Sequence, residues 1–439
     1  MLTRELLYKK IKKVKKYEEL YKIPFDNKKK TNVKDVKVAI ICAACNGFGD
    51  YVYALKIYNY MKKWYGISPV IFTNNPKYFL DNGIRNLYGI KIPGKEAGEC
   101  TDIRLTKIYS VDKNGKFLKR VDLLYRFDIM AICPFIDTDF TPSHKVIQKL
   151  FPYANRFNSL LFSTYNVSNP KLFDFPTGLG DGYLGLLLSD TKPTKRNTKL
   201  KYPYIMVHIS SHDSVDVTKC FSNFIKLMCK KYSNKHRILD IVTPRAVLED
   251  KERINKLKNY IINNGYYDDV VIIESIGSSK VSSKVSGKIL RLRFDILPLP
   301  YNKYISLFDH CLPDVLLTGN QSITDVISCC KYYNVYYQIM PWESSFARNL
   351  NNILKPPGDY LRKMSTSCGL EKMNISQKSR LIVVKRDWDF RILARGKLDS
   401  IIYNIKSIQN NELIKSFVDI VNNSRKKSSV LSKFKQRFF

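Results

Sequence analysis

Acidic residues are scarce in this chain: 39 Asp plus Glu stand against 74 Lys plus Arg over 439 residues, a formal net charge of +35. A protein so short of carboxylates is drawn to polyanions, which leaves nucleic acid, acidic lipid surfaces and phosphorylated substrates as partner classes. Long hydrophobic runs are also missing. No stretch approaches the roughly 20 apolar residues of a membrane span, and no signal-peptide pattern opens the sequence. The ten cysteines follow no framework spacing, so a disulfide-stapled scaffold is excluded. Cys42 and Cys45 form a C-x-x-C, but no second pair completes a tetrahedral site, and no metal is expected. An RNA-recognition aromatic motif, a helix-turn-helix signature and a zinc finger are all absent. The expectation is a soluble cytoplasmic protein, with peripheral membrane or virion association through its basic ends as the variant that the charge allows.

What is present is apolar content enough for two cores, 44%. Val38–Ala44 is an apolar run that breaks into Cys45-Asn46-Gly47-Phe48-Gly49-Asp50, followed by Val52, Leu55, Ile57, Met61 and Trp64. This predicts strand, loop and helix at the entry to a doubly wound domain. Val52 stands where a dinucleotide fingerprint would need its third glycine, so a nicotinamide or flavin site is not indicated. Asp50 falls at the carboxyl end of the first strand, where ligands of open α/β sheets bind.

The strand–helix alternation restarts after residue 194. Tyr204–Ile209 carries His208, a helix covers Cys220–Met228, Arg237–Thr243 leads into Pro244-Arg245, and further strands are expected at Val270 and Leu290. Pro313–Trp342 then reads as strand, Gly319 turn, helix and strand, with Ser322 expected to cap the helix and Asp325 expected in its first turn. Such a helix start presents free N–H groups and a positive dipole end, the setting for a diphosphate. The implied organisation is a basic helical extension over 1–35, Rossmann-like domains over 36–194 and 195–345, and a helical segment with a basic tail over 346–439. Each basic end could lie on an anionic membrane or on nucleic acid.

The order of these motifs resembles GT-B glycosyltransferases, in particular inverting enzymes of the heptosyltransferase and protein-arginine rhamnosyltransferase kind. Gly49-Asp50 matches the Gly-Asp pair of their first loop. Gly319-Asn320-Gln321-Ser322 matches their Gly-acid-x-Ser turn with amides in place of the acid, and Asn46 replaces a rhamnosyltransferase aspartate. The resemblance implies two Rossmann-like domains facing a cleft. It implies a nucleotide-sugar donor used as substrate with no further cofactor, an acceptor of unknown kind, and Asp50 as catalytic base. Gly319, Asn320, Gln321, Ser322, Asp325, Arg245 and His208 would serve the donor, with Lys219 or Arg348 as further candidate cations. Asn46, Gly47 and Gly49 would form the acceptor-side loop. Asp137-Thr-Asp139, at the end of an apolar run, offers a competing metal-binding reading of the GT-A type. A basic nucleic-acid- or virion-associated protein on an inactive transferase-like scaffold is the alternative function.

Overall fold

A computed structural model describes residues 36–42, 48–91, 107–121, 129–135, 159–189, 197, 199–209, 216–274, 287–329, 333–340, 343–354, 363–364, 370–375 and 398. Asn46, Gly47, Asp137, Asp139, Cys330 and both basic ends therefore lie outside the described residues.

The first half is built on β1 (Val38–Cys42), α1 (Gly49–Tyr65), β2 (Val70–Thr73), α2 (Pro76–Asp81) and β3 (Leu87–Lys91), followed by β4 (Lys107–Val111), β5 (Phe117–Arg120), β6 (Ile129–Phe135) and β7 (Ser159–Ser163). Its sheet runs β5-β4-β3-β2-β1-β6-β7. The five strands from β3 to β7 in that order are parallel, and β4 and β5 add an antiparallel edge. Strand β1 is apolar and buried at every position: Val38, Ile40 and Cys42 pack in the cluster that holds α1, while Ala39 and Ile41 pack with Phe72, Leu161 and Phe173 on the other face.

The second half comprises β8 (Tyr204–His208), α3 (Val217–Tyr232), β9 (Ile238–Val242), α4 (Lys251–Asn263), β10 (Asp269–Ile273), β11 (Ile289–Arg293) and α5 (Tyr301–His310). It continues with β12 (Asp314–Thr318), α6 (Asn320–Ser328), β13 (Tyr333–Gln338), α7 (Ser344–Leu354), β14 (Lys363–Met364) and β15 (Leu370–Ile375). The sheet order is β10-β11-β9-β8-β12-β13-β15-β14. It is parallel through β13, and β15 and β14 close the edge antiparallel.

The order of the parallel strands switches from one side to the other between β1 and β6 in the first sheet and between β8 and β12 in the second. A crevice opens outside the carboxyl ends of the strands at such a reversal. Helix α1 leaves β1 at the first, and α6 leaves β12 at the second. One hydrophobic cluster runs through both halves, joining Ile40, Leu55 and Met61 to Leu317, Ile323 and Val326, with Leu398 buried in it. Leu398 is the described part of the helix expected beyond the second domain.

Polar contacts fasten the halves. The Ser189 N–H donates to Ser328 Oγ at 2.8 Å, and Asn82 Oδ1 accepts from the first amide of α5 at 2.8 Å. The glycine-rich stretch 175–183 is pinned rather than loose: Asn166 grips Leu179 through both its amide atoms, and Asn349 of α7 donates to the same carbonyl at 2.6 Å.

Candidate functional site

Two helix N-termini meet where the halves join. A Cβ added to Gly49, the first residue of α1, would lie 3.6 Å from Cγ of Gln321 in the first turn of α6. Asp50 is the next residue. Burial pushes its carboxyl up to about 7, and among the described residues that carboxylate makes no hydrogen bond or ion pair. A carboxylate so placed can take a proton near neutral pH. Beside it, Phe48 (49% exposed), Tyr51 and Tyr78 form an aromatic shelf, with ring centroids 5.8 Å apart for Phe48–Tyr78 and 5.5 Å for Tyr51–Tyr78. Tyr51 is steadied by donating to Asn74 Oδ1 at 2.9 Å.

The turn between β12 and α6 departs from the sequence expectation. Gly319 itself is the N-cap, at φ 87 and ψ 143, a conformation open essentially to glycine alone. Ser322 does not cap. It lies inside the helix and is buried, and no side chain of the N-cap residue closes the turn. The capping anion comes instead from Glu343, whose carboxylate accepts from the backbone of Gly319 and Asn320 and from Met340 N–H at 3.3 Å. Tyr337 sits between them, its hydroxyl 3.1 Å from Glu343 Oε2 and 3.0 Å from Asn320 Oδ1. Burial pushes the Glu343 carboxyl up to about 7, against the lowering effect of these bonds.

Asp325 is likewise not in the first turn. Its position one turn further along α6 aims the side chain at the first half, where Lys56 of α1 stands 2.9 Å from Asp325 Oδ1. The Lys56 ammonium also donates to Gln321 Oε1 at 2.9 Å, Thr324 Oγ1 at 3.0 Å and Leu187 O at 3.1 Å. Tyr301 adds a hydrogen bond to Asp325 Oδ1 at 2.5 Å. Burial raises the Asp325 pKa, while Lys56 and Tyr301 oppose that rise. The knot holds Gln321 and Asp325 against α1. Sequence reasoning missed Lys56; the available signal was a lysine inside the otherwise apolar run Val52–Ile57.

His208 ends β8 at the reversal point, in register with Leu317 of β12. Its ring lies edge-on to Tyr304, and burial holds its pKa down at about 4. Arg245 is not brought to the Gly319 turn. It is exposed and donates to Glu274 O at 2.6 Å, just past β10, on the side of β9 away from β12. Lys219 lies in the first turn of α3, where its amide bonds the capping Asp216, and Arg348 is exposed on α7. Among the described residues no group of three or more His, Cys, Asp or Glu is placed to hold a metal ion, and no helix is long and apolar enough to cross a membrane.

No protein-family model matches the sequence, and no curated protein does. Solved structures similar to it include MurG of Acinetobacter baumannii, at 12% identity over 72% of this chain and 83% of that one, with a TM-score of 0.36. The E. coli heptosyltransferase WaaC with ADP matches at 9% identity over 64% and 81%, TM-score 0.30. The N-terminal domain of Candida albicans trehalose-6-phosphate phosphatase matches at 11% over 84% and 98%, TM-score 0.37.

Proposed function

We propose that this chain is a glycosyltransferase of the two-domain GT-B type, inverting and metal-independent, moving a sugar from a nucleotide-sugar donor to a hydroxyl or other nucleophile. The observation that carries this reading is the approach of Gly49 to Gln321, which brings the residue before Asp50 against the first turn of a helix from the other half, while the Asp50 carboxylate makes no hydrogen bond or ion pair among the described residues.

In the proposed reaction Asp50 accepts the acceptor's proton as the acceptor attacks the anomeric carbon, and the bond to the nucleoside diphosphate breaks on the opposite face. The charge that develops on the leaving diphosphate is met by the N–H groups opening α6, whose dipole favours an anion. Gly319 leaves room for backbone to approach the phosphates, because no Cβ stands in the way. Glu343 now satisfies some of those N–H groups, so the donor's phosphate and the Glu343 carboxylate compete for one place.

The test is Asp50→Asn, assayed for transfer from a panel of nucleotide sugars and for nucleoside diphosphate binding. Removing the base should cost about 10²–10⁴ in turnover and leave diphosphate affinity within a few-fold. Unchanged turnover would remove Asp50 from the mechanism.

A further inference from the structure

Between the two halves, three polar atoms are closed off from solvent without any hydrogen-bond partner among the described residues: the hydroxyls of Tyr78 and Tyr304, and His208 Nδ1. They come from separate elements, α2, α5 and the end of β8, and they lie in one neighbourhood through direct ring contact and shared electrostatic partners. The His208 and Tyr304 ring centroids are 5.6 Å apart. The Tyr304 hydroxyl feels both Asp325 and Tyr78, and Tyr78 in turn feels Asp325. Ser322 is close enough to temper the Tyr304 shift, but no bond of ordinary geometry joins the two hydroxyls.

Buried polar groups in folded proteins are nearly always paired, and an unpaired one costs about 1–3 kcal/mol. His208 stands at the reversal point of the sheet, Tyr304 is in ring contact with it, and Tyr78 interacts electrostatically with Tyr304, so the three leave hydrogen-bonding capacity that a ligand could take up. The same place adjoins the proposed reaction centre, since the Tyr78 ring packs against Tyr51 and Tyr51 follows Asp50 in α1.

The chemistry of the three groups limits the ligand. Burial holds His208 neutral and raises both tyrosines, so none bears a charge near pH 7. Lys56 reaches the neighbourhood, but its ammonium is surrounded by four acceptors and neutralises Asp325. Two hydroxyls and an imidazole suit the alternating donors and acceptors of a polyol, whereas a carboxylate brought here would gain no counter-charge from them.

Building on the transferase reading, we propose that Tyr78, Tyr304 and His208 bind the hydroxyls of the transferred sugar and select a neutral sugar over an acidic one. A site that hydrogen-bonds a substrate hydroxyl discriminates by leaving its own polar groups unpaired when the wrong substrate binds.

The experiment is titration calorimetry of the wild-type chain, Tyr304→Phe and Tyr78→Phe with UDP, ADP and GDP, with UDP-glucose, ADP-glucose and GDP-mannose, and with UDP-glucuronic acid. Each Phe variant keeps its ring and loses an unpaired hydroxyl, so both should fold with undiminished melting temperature. In the wild type the neutral sugar should tighten binding over the bare diphosphate, and glucuronate should not. Each Phe variant should lose about tenfold in affinity for the neutral sugar nucleotide, with the bare diphosphate unchanged. If the bare diphosphate binds but the sugar adds nothing, or the Phe variants keep the whole sugar increment, the three groups do not contact the sugar and the inference is overturned while the transferase reading stands. Equal affinity for glucuronate overturns the selection of neutral sugars. If no nucleotide binds at all, the inference and the transferase reading fall together.

Discussion

Lys56 of α1 and Asp325 of α6 meet 2.9 Å apart across the junction of the two sheets, both almost wholly excluded from water. A buried pair of this kind adds little net stability over well-packed apolar residues, because desolvation offsets the attraction. Its effect is on geometry. It fixes the first turns of α6 against α1, and so fixes Gln321 against Gly49.

Lys56→Met should therefore be severe. It leaves Asp325 buried without a counter-charge and strips the partners from Gln321 and Leu187, at a cost of about 3–5 kcal/mol in denaturant unfolding. Lys56→Met combined with Asp325→Leu should recover much of that loss. If the single variant unfolds like wild type, the ion pair does not hold the halves as described.

Asp50 and Glu343 are both raised to about 7 by burial, so the folded chain binds protons more tightly than the unfolded one. For each, stability is greatest below the unfolded carboxylate pKa and declines as pH rises towards the folded value near 7. Asp50→Asn should flatten part of this decline and be at least as stable as wild type at pH 8, read from melting temperatures over pH 4–9. Activity should run the other way: kcat/KM of the wild type should climb through a pKa near 7, as a base must lose its proton to act. A pH-independent rate between 6 and 8 would contradict Asp50 as the base.

Glu343→Gln should strengthen nucleoside diphosphate binding at pH 8, where the wild-type carboxylate is ionised and holds the amides of Gly319 and Asn320. The difference between the two proteins should shrink at pH 6, where Glu343 is protonated, and comparing them cancels titration of the ligand itself. Weaker binding by the variant at both pH values would show that Glu343 assists the donor instead of competing with it.

The two turns were legible from sequence because their signals are local: an apolar run broken by Gly49-Asp50, and another broken by Gly319. The errors came where distant residues intervene. Ser322 has the chemistry of a cap, but the cap is supplied by Glu343 from beyond β13, and nothing near Ser322 announces that. Asp325 would be a first-turn acid if Ser322 were the cap, but the helix starts at Asn320, which carries Asp325 into the second turn and onto Lys56, remote in sequence. A lysine within a helix is usually read as solvent-facing, and only the packing of α1 against α6 shows that this one is not. Arg245 follows a strand end as a phosphate ligand would, but the strand order puts it on the wrong side of β9.

The most direct measurement is calorimetric titration of UDP, ADP and GDP into the wild-type chain and into Gly319→Ala. Adding a Cβ at φ 87 strains the turn and blocks the approach of phosphate to backbone, so at least one diphosphate should bind the wild type and lose about tenfold or more in the variant. Wild-type protein that binds none of the three, or a variant that binds as tightly as wild type, would contradict a nucleotide-sugar site at the α6 turn.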